Sequence, residues 1–198
     1  MVSKEDIKKA AFKLFAENGY EDTTTQAIAE AVGLKKQSLY SHYKSKRDIY
    51  EEILRDQSVY FSTAIKSALD RLKEEPAEIF MKELSRTFIQ LFSPRERLLL
   101  WKRTLIHWGT NKGREFFETD NAQFGERLKN DIRELYDLFG GKYKRLKDWN
   151  NFKAVMLSFM LFVNGYLDWV VVAGHNDSIW RAVWEKYWNG IKYSFLQD

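Results

Sequence analysis

Cysteine is absent from the sequence, and with it go disulfide staples, thiolate metal sites and cysteine nucleophiles. Two prolines and ten glycines are the only strong chain breakers in 198 residues, a scarcity that suits long helices. The opening segment MVSKEDIKKAAFKLF has no apolar run of signal-peptide length and carries acids among its lysines. It reads as an amphipathic helix, and the expected location is cytoplasmic. P-loop, dinucleotide fingerprint and nucleophile elbow are all missing, and His42, His107 and His175 lack metal-ligand spacing. No enzyme, metal site or cofactor is expected, and a pairing of His107 with Asp168 reads as a polar pair of the core.

Aromatic residues are in excess: 16% of the chain is Phe, Trp or Tyr, with seven Trp, and rings of that size fill a core, line a cavity or cover a partner. The net charge of +4 means little until it is placed along the chain. Within residues 1–60, ten Lys or Arg are balanced by ten Asp or Glu. Between Glu30 and Asp48, however, Lys35, Lys36, Lys44, Lys46 and Arg47 stand with no acid among them.

Apolar residues at helical spacing outline the elements. Ile7, Ala10, Ala11, Leu14 and Phe15 predict a first helix ending at Gly19. Thr23, Thr24 and Thr25 supply a hydroxyl cap for a short second helix carrying Ile28, Ala29 and Val32, which Gly33 ends. A third is expected over Lys35–Tyr43, burying Leu39 and Tyr43 and leaving Tyr40 outside. Ser45 caps a long fourth helix from Lys46 towards Leu72, with Ile49, Ile53, Leu54, Tyr60, Phe61, Ala64, Ile65 and Ala68 inside; its length predicts a strut between two bodies.

Pro76 suits the first turn of a fifth helix with Phe80, Leu84, Phe88, Leu91 and Phe92 on its face, and Ser93 with Pro94 begins a sixth with Leu98, Trp101, Leu105 and Trp108. After a break at 109–113, a seventh carries Phe116, Phe117, Phe124, Leu128, Ile132, Leu135 and Phe139 and stops at Gly140 and Gly141. Residues 149–173 are apolar around the whole circumference of an eighth, which needs a partner surface. The last helix, capped by Asp177 or Ser178, shows Trp180, Trp184, Tyr187, Trp188, Ile191 and Phe195 as one aromatic stripe. The expected fold is all-α.

Two short helices joined at a glycine-containing turn, the second rich in Lys, Tyr, Ser and His, follow the helix-turn-helix plan for major-groove entry. Phosphates call for positive charge and donors, which Lys35, Lys36, Tyr40, His42, Lys44 and Lys46 carry. Base edges call for short polar reach, present in Gln26, Gln37 and Ser38. A lysine run by itself is a solvated face; here it coincides with the second helix of the motif.

The stretch TTTQAIAEAVGLKKQSLYSHYKSKRDIYEEIL, with IKKAAFKLFAENGY before it, resembles the signature of the tetracycline-repressor (TetR) family at Thr24, Ile28, Ala29, Gly33, Leu39, Tyr40, Tyr43 and Lys46. The resemblance covers roughly the first quarter of the chain. It implies an N-terminal three-helix DNA-binding domain, residues 1–46, joined by the long fourth helix to a C-terminal ligand-binding and dimerisation domain, residues 47–198, with about nine helices in all. It also implies that Thr25, Gln26, Lys35, Lys36, Gln37 and Ser38 approach the groove while Tyr40, His42 and Lys46 grip phosphates. Lys35 and Gln37 depart from the pattern, which has a hydroxyl cap and a small residue there, and Ala27 stands where an acid often caps.

The same resemblance implies a homodimer through the two C-terminal helices and a small-molecule chamber lined by Phe88, Phe92, Trp101, His107, Trp108, Tyr136, Phe159, Tyr166, Asp168 and Trp169. Each ring alone is more simply core; together they favour a flat or hydrophobic effector, and Asp168 adds a preference for a cation if it faces inward. Asn164 and Asp168, one turn apart, form either a dimer hydrogen-bond pair or the floor of the chamber. They also weigh against a membrane span, since an aspartate at a bilayer centre costs about 2.5–3.5 kcal/mol. The implied function is a ligand-responsive regulator, most simply a repressor on a palindromic DNA operator, released by its effector. Activation or corepression stays open, as does a helical small-molecule or lipid carrier whose basic head is only a charged surface.

Overall fold

The computed structural model describes residues 2–108 and 122–195, without the side chains of 105, 107, 108 and 122–129. Among the described residues every regular element is helical: α1 (Lys4–Asn18), α2 (Thr25–Ala31), α3 (Lys36–Leu39), α4 (Lys46–Leu72), α5 (Ala77–Leu91), α6 (Arg95–Trp108), α7 (Ala122–Lys142), α8 (Trp149–Ala173) and α9 (Asp177–Ile191), with 3-10 turns at Lys144–Lys147 and Lys192–Phe195. The chain divides into two compact units, Met1–Tyr60 with Pro94–Phe124, and Phe61–Ser93 with Gly125–Asp198. α4 gives its first part to one unit and its remainder to the other.

In the first unit, caps define the short helices. Ser3 and Asp6 form a reciprocal capping box at the start of α1, Thr24 accepts from the Ala27 amide at the start of α2, and Ser45 accepts from Asp48 ahead of α4. Gly33 turns the chain between α2 and α3 at φ 70°, with no neighbour within 4 Å of where a Cβ would stand. Glycine is therefore required there by backbone conformation and not by space. Helices this short are marginal in isolation, and a shared core holds them. Ile7, Ala11, Phe15, Ile28, Ala29, Leu39, Tyr43, Ile49, Tyr50 and Ile53 pack with Leu100 of α6.

α6 also closes the far end of α1, whose last turn has no basic residue of its own. The Arg103 guanidinium donates to the Ala16 carbonyl at 2.9 Å and the Glu17 carbonyl at 2.6 Å, placing a cation at the negative pole of the helix. Nearby, the Tyr50 and Thr104 hydroxyls share a buried hydrogen bond of 3.1 Å. Arg103→Ala is expected to lower Tm by about 2–4 °C, the effect of roughly 1 kcal/mol on a chain of this size. A thermal melt with no shift would show that the clamp stabilises nothing.

The second unit is built on aromatic packing. α8 buries Phe152, Val155, Phe159, Val163, Tyr166 and Leu167. α9 buries Trp180 and Trp184, and α5 contributes Phe80, Met81, Leu84 and Ile89. Edge contacts join Phe80 to Phe139 and Phe88 to Phe159, and Phe162 stacks on Tyr187 at 4.5 Å. Burial pushes the Tyr187 hydroxyl up to about 12, against the opposing hydrogen bond from Ser158.

Several elements differ from the sequence expectation. α3 is only four residues long; Lys35 offers its start no side-chain cap, and beyond Leu39 the chain continues in turns closed by Ser41 to Ser38 and His42 to Leu39 bonds. α7 continues through Gly140 and Gly141 to Lys142, because neither glycine takes a positive φ. Asn176, and neither Asp177 nor Ser178, caps α9, accepting from the amides of Ser178 and Ile179. Tyr60 is exposed, with the Arg97 guanidinium 4.4 Å from its ring centre. The expected break at 109–113 and Phe116 and Phe117 lie outside the described residues, as do the side chains of Leu105, Phe124 and Leu128.

Candidate nucleic-acid interface and effector body

The charges of the first unit are partitioned by partner. On α1, the Lys4 ammonium lies 2.7 Å from Glu52, and Lys8 lies 2.5 Å from Asp56 and 3.0 Å from Glu5. Arg47 pairs with Glu51 at 2.6 Å. Acids of α4 thus pair with Lys4 and Lys8 of the neighbouring helix. Lys35, Lys36 and Lys44 are exposed, and their ammonium groups make no ion pair or hydrogen bond among the described residues. The face around α3 therefore keeps cations that no acid among the described residues compensates.

One consequence of that pairing is testable by pH. Burial works to raise the Glu52 carboxyl, but the hydrogen bond and charge of Lys4 and the charge of Lys8 outweigh it, so it sits below its ordinary value of 4.5. A depressed carboxylate stabilises the fold above its unfolded value and loses that contribution as pH falls through the folded value. Tm is expected to drop on acidification below about pH 4.5, and Glu52→Gln to flatten that limb. Identical acid limbs in wild type and variant would contradict the assignment.

The nine predicted DNA-facing residues fall into three groups. Lys35, Lys36, Gln37, Ser38 and Tyr40 are exposed on and beside α3, while Leu39 and Tyr43 on the same stretch are buried at 1% and 4% exposure. Tyr40, 47% exposed, points away from the core as expected. Thr25 is half-buried and Gln26 exposed at the start of α2, the Gln26 amide donating to Glu30 at 2.6 Å, and His42 is half-buried in the turn after α3. Lys46 is placed differently from the expectation. Its ammonium donates to the carbonyls of Tyr20 at 2.6 Å, Thr23 at 2.8 Å and Glu21 at 3.2 Å.

Among the described residues, the predicted effector side chains take part in several separate contacts. Phe88 and Phe159 touch, linking α5 to α8. Phe92 packs on Phe61. Tyr136 lies against Trp149 and Phe152, its hydroxyl donating to the Lys147 carbonyl. Tyr166 is buried, its hydroxyl 2.9 Å from His175 Nδ1 and donating to the Asn176 carbonyl, so it closes the turn between α8 and α9. Asp168 and Trp169 are exposed on α8. Trp101 belongs to the first unit, and the side chains of His107 and Trp108 lie outside the described ones. Sequence reasoning missed an open groove of about 520 Å³ in the second unit, lined by Pro76, Ala77, Tyr143, Trp188, Tyr193 and Phe195 among others; its residues come from three separate stretches of chain, and no local spacing announces it.

One further surface stands out. α8 is long and apolar enough to cross a bilayer by length and composition, but only 28% of its apolar window is buried. Leu157, Leu161 and Val172 are 62%, 65% and 84% exposed, with Ile179 and Val183 of α9 also exposed.

Residues 7–53 match the family model of the bacterial regulatory proteins, tetR family. Over 49 residues the chain is 49% identical to the biofilm operon icaADBC HTH-type negative transcriptional regulator IcaR of Staphylococcus aureus, a stretch covering 25% of this chain and 26% of that relative. The IcaR of Staphylococcus epidermidis is 41% identical over 58 residues, 29% of this chain and 31% of the relative. The chain thus aligns with about a quarter to a third of these curated proteins. Solved structures share the fold over nearly the full length. A TetR-like transcriptional regulator from Rhodococcus sp. RHA1 superposes with TM-score 0.67 at 18% identity, covering 96% of each chain. The ketosteroid transcriptional regulator KstR2 of Mycobacterium tuberculosis gives TM-score 0.63 at 15% identity, covering 100% of this chain and 98% of that one. A Saccharomonospora viridis protein described as a transcriptional regulator, solved in complex with choline, gives 0.60 at 17%, covering 98% of each. Residues 7–53 thus carry a helix-turn-helix that matches the tetR-family model, and the all-helical fold is shared with solved TetR-like structures over nearly the full length.

Proposed function

We propose that this protein is a dimeric, DNA-binding transcriptional repressor released by a small hydrophobic or aromatic effector. The observation that carries the reading is the face around α3, where Lys35, Lys36, Gln37, Ser38, Tyr40 and Lys44 are all exposed over a buried Leu39 and Tyr43. Short polar side chains flanked by unpaired cations match what base edges and phosphates require. DNA contact is assigned to residues 1–46, with Thr25, Gln26 and His42 contributing from beside α3, and sensing and pairing to residues 47–198. The repressor sign is supported by the negative regulators IcaR that share this head.

A second copy of the chain is the occupant assigned to the exposed apolar face of α8 and α9. Contiguous apolar surface of this kind on a water-exposed helix marks an interaction site. Asp168 and Lys153, exposed on the same helix, favour a protein partner over lipid, where an aspartate is costly. Two heads so paired would enter successive major grooves about 34–36 Å apart. The effector is assigned to the aromatic interior of the second unit, with Phe88 and Phe159 as its first contacts. The choline complex of a structural relative supports a quaternary ammonium as one ligand class to try.

Selection from a random duplex pool, followed by binding across a salt series, tests the reading. The expected product is an inverted repeat, bound by two chains and released by an effector that also raises Tm. Recovery of no preferred duplex, together with stabilisation by lipids or small molecules, would favour a carrier instead.

A further inference from the structure

Lys46 opens α4 with its ammonium in a cradle of backbone oxygen. The three carbonyls it reaches, those of Tyr20, Glu21 and Thr23, all belong to the connection between α1 and α2. An ammonium has three donors and no acceptor, so these contacts exhaust it. The same Nζ lies 4.3 Å from the centre of the Tyr20 ring, which packs in turn on Phe15 and Tyr50. From the other side the Thr23 hydroxyl donates to the carbonyls of Gly19 at 2.7 Å and Leu14 at 3.2 Å. The connection is therefore held from both sides, and directly after it Thr24 caps α2 and Thr25 and Gln26 begin it. Burial also lowers the Lys46 pKa, the attraction of Glu21 and Asp22 opposing it.

We infer that Lys46 is a positioning residue for DNA recognition: its ammonium clasps the connection between α1 and α2 and so sets how α2 and the turn beyond it meet the groove. The inference rests on the DNA-binding function proposed above. It assigns the phosphate contacts to Lys35, Lys36 and Lys44, whose ammonium groups have no partner among the described residues. A phosphate drawing Lys46 away would leave three carbonyls without their donor, a cost none of the other three lysines incurs.

Lys46→Met is the test, since it keeps the apolar stem over Tyr20 and removes every donor; Lys36→Ala is the comparison. In the free protein, Lys46→Met is expected to speed amide exchange in residues 20–25 by about tenfold. Its preference for the selected duplex over a scrambled one is expected to fall roughly tenfold, the scale of one mismatched base pair. Its salt slope, the fall of log affinity with log salt concentration, is expected to match wild type, whereas Lys36→Ala lowers it by about 0.9 for each phosphate that is no longer neutralised. A shallower slope for Lys46→Met with unchanged amide exchange would overturn the clasp in favour of a phosphate contact. If Lys46→Met does not fold, the wild-type Lys46 ammonium is followed by NMR. Proton exchange slower than that of Lys36, unchanged on adding duplex, supports the clasp, and disappearance of that protection in DNA overturns it. If wild type selects no duplex, the proposed function fails, while amide exchange in the free protein still decides whether Lys46 holds the connection.

Discussion

Leu161→Glu is expected to convert the proposed dimer to a monomer and to weaken binding to its selected duplex by roughly 10²–10⁴-fold. The magnitude is that of losing the second head's intramolecular advantage, because two linked modules exceed either alone by this factor without any new contact. Leu161 is 65% exposed on α8, between Leu157 and Val172, so the substitution disturbs no interior packing of its own chain. A carboxylate placed in the proposed apolar interface would be desolvated in both copies. Sedimentation and fluorescence anisotropy check both halves of the expectation. A variant that stays dimeric would remove α8 from the interface, and one that becomes monomeric with undiminished affinity would show that one head suffices.

The triple variant Lys35→Ala, Lys36→Ala, Lys44→Ala is expected to bind duplex at least about a hundredfold more weakly at moderate salt, with a salt slope shallower by up to about 0.9 for each phosphate left without its cation. In the proposed dimer two copies would present six of these lysines to DNA, so the change in slope is expected to be large. Tm of the free protein should hardly move, because exposed side chains without partners contribute little to the fold. This combination separates a damaged interface from a damaged structure. An unchanged slope would mean that the cations around α3 are only a solvated face.

The elements that were legible in the sequence are those set by neighbours within a turn or two. Apolar residues at helical spacing announced α1, α2, α4, α5, α6, α8 and α9, and hydroxyls at Thr24 and Ser45 supplied the caps they were expected to supply. Leu39 and Tyr43 went inside and Tyr40 outside, as the spacing within one short stretch required. Where the reading fell short, the deciding contact lay elsewhere. Tyr60 was assigned inward by periodicity, yet an arginine from α6 covers its ring at the surface. Tyr50 went unnoticed because its hydroxyl is satisfied by Thr104, more than fifty residues on. Among the described residues, the aromatic residues assigned to the effector chamber make separate local contacts, and which ring meets which is not written in their number.

By itself, then, the sequence determined the helical class, the helix-turn-helix and the cationic stretch free of acids, because each is a local pattern of spacing, caps and charge. Tertiary structure alone decided which charges stay available. It paired Lys4 and Lys8 of α1 with acids of α4, and it committed Lys46 to carbonyls 23 to 26 positions earlier in the chain. It also brought Arg103 to the end of α1 across 86 and 87 positions. Such contacts depend on how helices pack around a common core, and no periodicity within a single helix encodes the neighbour that packing will supply.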